Sequence, residues 1–395
     1  MSQSLLKKDF IMFQGLKSQV KSYAKRMIYS YRQAQSLKYF FDKTTQYMAI
    51  HKTLKPLPLE HKEAVLDYWS KFINMGGGNT QRLKLTLDWH TIIYNVNQSH
   101  PLDVRYLDNP FYYLNILPYF NPQNYASTFA DKNYYDTLFP HHHKPKSIIK
   151  NIRGNFYQPH NNNPNVFIPI DKNSAIQLMK SYEKVVVKPT ESDTTGSGKN
   201  VQILYTQQDE ALIIQTLQDY KNDYIVQEFI QQHSYLSNLN ESSVNTFRIM
   251  TLLYKGKIHT LPSSLLVGDT RPTSNGGFFR IGIDQSGNLR NFIIKGKGEA
   301  ISSLPNVKGD FDVQIPHFSD VIDMAKSMHM CIPHIGLVGW DFSLDKVGNP
   351  IFIELNPMYP GSEIIELCNT PLFGDLSDEI FAEVTKKDQI LKTVL

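Results

Sequence analysis

Apolar positions recur at helical spacing in the first part of the chain and at strand spacing in the rest, with the change near residue 147. Phe13, Leu16, Val20, Met27 and Tyr31 stand at near-helical intervals and predict an amphipathic helical segment. A second helix is predicted over 59–72, after Pro56 and Pro58, and Gly76-Gly77-Gly78 breaks the chain behind it. Residues 88–130, rich in Tyr, Asn, Asp and Pro, predict irregular structure. Lys184–Pro189 and Tyr224–Ile230 then read as strands, and Ser243–Lys255, Lys257–Leu266 and Phe278–Arg290 alternate strands with glycine turns. A helix over Phe318–Met330 precedes a final hairpin. The pattern predicts an α+β chain with mainly antiparallel pairing, in which a helical extension (1–124) leads into a strand-rich body (125–395).

The final hairpin carries the densest chemistry. An apolar run to Leu344, a turn at Lys346-Val347-Gly348-Asn349 and the run Pro350–Asn356 define it. With Val347 and Gly348 as the turn residues, Asp341 falls directly opposite Glu354. Glu354 and Asn356 are two apart on one strand and share its face. Three oxygen donors then converge on one patch. Adjacent carboxylates repel and are costly to bury unpaired. A hard cation such as Mg²⁺, which takes oxygen ligands and often accompanies nucleotide phosphates, relieves both costs. An exposed hairpin with polar residues facing water accounts equally well for the triplet taken alone.

Upstream, VVVKPTESDTTGSGKNVQIL places Lys188 at a strand end, followed by a loop with Gly196, Ser197, Gly198 and Lys199. Such a loop can bring backbone N–H groups to phosphates, beside the fixed charge of Lys188. It is not a Walker P-loop, because Lys199 is not followed by Ser or Thr opening a helix. An ordinary hairpin tip has the same composition.

A formal net charge of +4 neither requires nor excludes nucleic acid, and no RNA- or DNA-binding motif is present. Two cysteines exclude a disulfide framework and offer no metal-ligand spacing. His141-His142-His143 cannot all face one ion and predict a loop. No apolar run approaches the ~18 residues that span a bilayer, and the N-terminus lacks the apolar core of a signal peptide, so a cytoplasmic protein is expected. The first forty residues carry eight Lys or Arg against one acid, Asp9. That helix can rest on an anionic membrane or a partner, or present a solvated charged face.

Taken in order, Asp131-Lys132, Lys188-Pro189, the glycine loop, Gln227-Glu228-Phe229-Ile230, Asn245-Thr246-Phe247-Arg248, Asp341 and Glu354-Leu355-Asn356 resemble the ATP-grasp superfamily over about residues 125–365. Ser243–Arg248 and Gly339-Trp340-Asp341 look most like its branch associated with sugar transfer and bacterial capsule or surface-polysaccharide gene clusters. The resemblance implies two α+β lobes, about 125–222 and 223–375, clasping ATP, with a tail over 376–395. It implies that Lys132 and Lys188 contact the α- and β-phosphates, and that the loop of Gly196, Ser197, Gly198 and Lys199 folds over the γ-phosphate. Gln227, Glu228, Phe229 and Ile230 would bind adenine at the hinge, with His233 near the ribose. Arg248 would neutralise the transferring phosphoryl group, with Lys188 as the second catalytic residue, and Asp341, Glu354 and Asn356 would hold one or two Mg²⁺. These roles make physical sense, since phosphoryl transfer asks mainly for charge neutralisation and positioning. A surface ion pair is the structural alternative for Arg248, and a solvated helix residue for Lys132. Two departures stand out: Gly196-Ser197-Gly198 replaces the paired glycines of many relatives, and His233-Ser234 falls where an acid is often found.

On the acceptor side, Asn275, Gly276 and Gly277 form a turn where a substrate carboxylate could reach backbone N–H groups, although a plain hairpin turn explains it too. Asn245, Arg280 and Tyr359 are acceptor candidates by neighbourhood. The resemblance implies an ATP-dependent ligase. A carboxylate is activated to an acyl phosphate and an amine attacks it, giving ADP, free phosphate and an amide built on a sugar or sugar acid. The partners implied are a small-molecule carboxylate and amine, with membrane or glycosyltransferase contact through the basic helix and no nucleic acid. Two rival readings remain: a kinase acting on a hydroxyl, and a nucleotide-binding scaffold without turnover.

Overall fold

The computed structural model describes residues 54–73, 79–160, 163–191, 201–207, 210–268, 278–296, 298–304 and 314–394. The basic N-terminal helix, the Gly76-Gly77-Gly78 break, the phosphate-loop residues Gly196, Ser197, Gly198 and Lys199, and the acceptor-turn residues Asn275, Gly276 and Gly277 lie outside the described residues. The chain forms two compact units: residues to Ile92 with Leu107–Tyr119 and the stretch from Asp375, and Ile93–Tyr106 with Phe120–Gly374. Among the described residues no helix is long and apolar enough to cross a membrane.

The first unit is helical. Helix α1 (Leu59–Ser70) starts after Pro58 and buries Val65 and Trp69, four apart on one face. The Trp69 ring stands 5.2 Å from Phe111 and 5.2 Å from Phe381 of the C-terminal helix Ser377–Val394, centroid to centroid. These edge and tilted contacts are the favoured arrangements of aromatic pairs.

Residues 88–130 are largely helical, against the expectation of irregular structure. Helix α2 (Asn79–Val96), a run of short helical turns over 109–120 and α3 (Gln123–Ala130) occupy this stretch. Two of the prolines that suggested loops sit at helix starts. Pro110 occupies the first turn after Asp108, whose Oδ1 caps the Phe111 N–H at 2.7 Å, and Pro122 precedes α3. Proline is tolerated there because the missing N–H has no helical partner to lose.

The second unit contains two antiparallel sheets. The first is six-stranded, in the order β3-β2-β1-β6-β4-β5. It is built from β1 (Ser147–Ile152), β2 (Asn155–His160), β3 (Asn163–Ile170), β4 (Lys184–Pro189), β5 (Gln202–Tyr205) and β6 (Tyr224–Glu228). Helices α4 (Lys172–Lys180) and α5 (Glu210–Tyr220) cover it, enclosing Ile149, Met179, Val185, Val187, Leu217 and Val226.

The second sheet is seven-stranded, in the order β11-β10-β9-β8-β7-β12-β13. It comprises β7 (Thr246–Tyr254), β8 (Lys257–Gly268), β9 (Phe278–Ile283), β10 (Leu289–Lys295), β11 (Glu299–Ile301), β12 (Leu337–Leu344) and β13 (Pro350–Asn356), and α6 (Ser234–Leu239) joins the two sheets. One face packs Phe247, Ile249, Leu265, Trp340, Phe342 and Phe352 against Val321, Ala325 and Met328 of α7 (Phe318–His329). A polar chain lies inside this packing. The Trp340 indole donates to Thr251 Oγ1 at 2.7 Å, Thr251 Oγ1 meets His329 Nδ1 at 2.7 Å, and His329 Nε2 meets the Ile335 carbonyl at 2.8 Å.

The opposite face carries the site. Cross-strand pairing aligns Glu354, Asp341, Arg248, Ser264 and Gly282 in one row over β13, β12, β7, β8 and β9. Paired residues of an antiparallel sheet point the same way. Helix α8 (Ser362–Cys368) lies on β8, β9 and β10, leaving the β7–β12–β13 end of the row for other groups. Gly282 makes that seat: a Cβ there would overlap the Cys368 carbonyl.

Candidate active site

The Asp341–Glu354 pairing expected from the sequence is present, but it arises differently. The turn is wider than two residues: Leu344 pairs with Pro350, and Asp345 folds the turn by accepting from Val347 N at 3.0 Å and Asn349 N at 2.8 Å. Gly348 adopts φ +96°, a conformation costly for a side chain with a Cβ. A register shift between Asp341 and Phe342 then inserts one residue into β13, and this bulge restores Asp341 opposite Glu354 and Gly339 opposite Asn356.

Arg248 projects beside this pair from β7. Its Nε donates to Asp341 Oδ1 at 2.6 Å and its Nη2 to Asp341 Oδ2 at 3.0 Å, while Nη1 holds the Pro360 carbonyl at 2.9 Å. Gly339 lets that carbonyl approach, since a Cβ there would stand 2.8 Å from the Pro360 oxygen. Arg248 is thus ion-paired, as its structural alternative expected, but the forked pair is partly buried, each side chain 14 % exposed. Asn356 Nδ2 donates to Asp341 Oδ2 at 3.2 Å and to the Gly339 carbonyl at 3.3 Å. The amide is thereby oriented, with its oxygen directed away from those acceptors.

Lys132 enters from a short helical turn, Lys132–Tyr134, capped by Asp131. It is only 4 % exposed, not a solvated helix residue, and its Nζ meets Glu354 Oε1 at 3.1 Å. Its own N–H donates to the Thr190 carbonyl at 2.9 Å, two residues beyond Lys188 on the same segment. Lys188 is itself buried, with no hydrogen-bond partner for its ammonium among the described residues. Burial pulls its pKa down to about 8, and the Lys132 charge adds to this, while Glu354 and Asp341 pull the other way. Three cations, Lys132, Lys188 and Arg248, thus surround two carboxylates. Three cations against two carboxylates, with no hydrogen-bond partner for the Lys188 ammonium among the described residues, suit an anionic ligand.

Strand β6 ends at Glu228, so Phe229 and Ile230 leave the ladder. They border a cavity of about 300 Å³, lined also by Glu228, Val347 and Ile351. The Glu228 carboxylate accepts from the Lys146 N–H at 2.9 Å. Gln227 is buried, its Nε2 3.4 Å from the Pro145 carbonyl. His233 caps α6, its Nδ1 accepting from Tyr235 N at 3.2 Å.

On the acceptor side, Asn245 bonds to neighbouring backbone. Asn245 is wholly buried, its amide nitrogen bonding the Leu236 and Asn240 carbonyls at 2.8 Å each and its Oδ1 accepting from Gly268 N at 3.1 Å. These bonds brace the α6–β7 connection. Arg280 lies on the Arg248 face of β9, 8 % exposed, its guanidinium 4.5 Å over the Phe278 ring and Nη1 3.3 Å from the Gly296 carbonyl. Tyr359 is exposed in the loop after β13.

Tyr135 escaped the sequence reading. Its hydroxyl accepts from Leu355 N at 3.3 Å and donates to Leu355 O at 3.4 Å, holding the residue between Glu354 and Asn356. A tyrosine 220 positions away in sequence gives no sign of this contact.

The residues from 115 to 378 match the family described as sugar-transfer associated ATP-grasp. The chain belongs to that family. A comparison with curated proteins gives no match in sequence. Similar solved structures include an L-amino acid ligase from Bacillus licheniformis, at 14 % identity and TM-score 0.34, covering 60 % of this chain and 42 % of that one. They also include D-alanyl-alanine synthetase A from Vibrio cholerae (12 %, 0.37, covering 66 % of each chain) and D-alanine–D-alanine ligase from Bacillus anthracis (14 %, 0.37, covering 68 % of this chain and 72 % of that one). The chain spans less than half the length of the Bacillus licheniformis enzyme.

The family implies ATP, and with it Mg²⁺. The residues present fit both: an all-oxygen donor set of Asp341, Glu354 and Asn356 suits a hard cation, and buried Lys188 suits a phosphate.

Proposed function

We propose that this ATP-grasp protein is a Mg²⁺–ATP-dependent carboxylate–amine ligase. The observation that carries the reading is the gathering of Lys132, Lys188 and Arg248 around Asp341, Glu354 and Asn356 in one partly buried cluster. Asp341, Glu354 and Asn356 would hold Mg²⁺, which supplies charge neutralisation to the phosphates. Lys132 and Lys188 would bind the α- and β-phosphates, and the cavity beside Phe229 and Ile230 would take the base. Arg248, oriented by Asp341, would steady the γ-phosphoryl group in line with the attacking oxygen.

A substrate carboxylate oxygen attacks the γ-phosphorus, and the bond to the bridging oxygen breaks with its electron pair leaving on ADP. An amine then attacks the acyl carbon, phosphate departs, and the nitrogen loses a proton to give the amide. No side-chain nucleophile is required. The sugar-transfer association of the family supports an acid or amine carried on a sugar, in the assembly of a surface polysaccharide.

Product analysis tests this. Purified protein with Mg²⁺–ATP and pools of amino acids, uronic acids and amino sugars should release ADP and free phosphate only with the right pool, and Glu354→Ala should abolish the release. Phosphate retained on an acceptor would show a kinase instead. A protein that binds Mg²⁺–ATP without turnover in any pool would behave as a scaffold.

A further inference from the structure

Lys150 is a buried cation outside the site just described. It sits in the centre of the first sheet, on β1 between β2 and β6, and is 0 % exposed. Three groups enclose its ammonium: the Asn133 carbonyl accepts from Nζ at 2.6 Å, Asp136 Oδ2 pairs with it at 2.9 Å, and the Phe167 ring centroid lies 4.6 Å away. Two of these three belong to one short segment. Asn133 directly follows Lys132, and Asp136 lies one turn further on.

The segment is held from its other side as well. Lys132 N donates to the Thr190 carbonyl at 2.9 Å, and Asn133 N to Asp131 Oδ1 at 2.9 Å. The backbone at Lys132 is therefore fixed between the end of β4 and the Lys150 ammonium. From that fixed point the Lys132 side chain reaches Glu354. A long, flexible lysine delivers a charge to one place only if its backbone is held there.

A buried ion pair adds little stability over a well-packed apolar pair of the same volume. What an apolar pair cannot replace here is the donor to the Asn133 carbonyl. We propose that Lys150 is a positioning residue for nucleotide binding, holding through Asn133 and Asp136 the turn that presents Lys132 to the phosphates. This rests on the nucleotide reading given above.

The test compares four proteins by calorimetric titration with Mg²⁺ and a non-hydrolysable ATP analogue, each also checked by thermal unfolding. They are the wild type, the apolar swap Lys150→Met/Asp136→Leu, Lys132→Ala, and the three changes combined. The swap should keep the fold and weaken binding about tenfold, as loss of an orienting partner commonly does. The combined variant should bind no worse than Lys132→Ala, because the swap acts through Lys132. Wild-type affinity in the swap, or losses that simply add in the combined variant, would overturn the proposal. If the swap does not fold, single variants decide. Lys150→Gln keeps a donor for the Asn133 carbonyl and should bind more tightly than Lys150→Met, and equal affinities would overturn the proposal. A wild type that does not bind the analogue brings down the nucleotide reading itself, and this proposal with it.

Discussion

At the scale of single residues, the site depends on geometry as much as on charge. Arg248 grips Asp341 through two parallel hydrogen bonds and a proline carbonyl through a third. A lysine keeps the charge but cannot span the fork. Arg248→Lys should therefore lower turnover about 100-fold, equivalent to about 3 kcal/mol, in steady-state assays with saturating nucleotide. Glu354 differs, because it pairs with Lys132 and, in the proposed function, would also offer oxygen to Mg²⁺. Glu354→Gln removes the charge that both need, and the Mg²⁺ concentration for half-maximal nucleotide binding should rise about tenfold or more. A variant with unchanged Mg²⁺ dependence would remove Glu354 from the donor set. The sequence made the carboxylates legible because they lie thirteen residues apart on one hairpin. It could not show that Arg248 would close on Asp341 across 93 positions, or that Asn245 would spend its amide inside the fold. Those outcomes depend on which strands become neighbours.

At the scale of elements, the β12–β13 hairpin shows both the reach and the limit of pattern reading. The strands were evident from their apolar runs, and the pairing of Asp341 with Glu354 came out as expected. The wider turn and the compensating bulge were not evident, since Asp345 folds the turn with a side chain that looks like any loop aspartate. Asp345→Ala should release Val347 N and Asn349 N and cost about 1–2 kcal/mol of stability, measured by urea unfolding.

Helix α7 and β12 are joined by the Trp340–Thr251–His329 chain, and this joint responds to pH. Burial lowers the His329 pKa from 6.5 to about 4. Between those values the unfolded chain binds a proton that the folded protein refuses, so stability rises with pH across that window and falls as pH drops from 6.5 toward 4. The difference corresponds to about 3 kcal/mol. His329→Gln should be less stable at pH 7, for want of one hydrogen bond, yet lose less on acidification. Unfolding curves at pH 7 and 4.5 would show the two slopes.

At the scale of the whole molecule, every described residue of the site lies in the unit that carries the two sheets. The first sheet contributes Lys188, the second Arg248, Asp341, Glu354 and Asn356, and the turn before β1 contributes Lys132. A ligand that touches all three can bind only when all three are folded, so its binding energy becomes folding energy. At a hundred times its dissociation constant it adds about 2.7 kcal/mol, which for a unit of this size corresponds to roughly 5–10 °C in the unfolding midpoint. Scanning calorimetry with a non-hydrolysable ATP analogue and Mg²⁺ should show that rise. The same analogue with EDTA should give a smaller one, because Asp341 and Glu354 would then meet the phosphates without the charge neutralisation that Mg²⁺ would supply. Equal midpoints with and without Mg²⁺ would mean that the lysines alone hold the phosphates, and the roles of Asp341, Glu354 and Asn356 would have to be reassigned to the Arg248 and Lys132 ion pairs in which the structure already finds them.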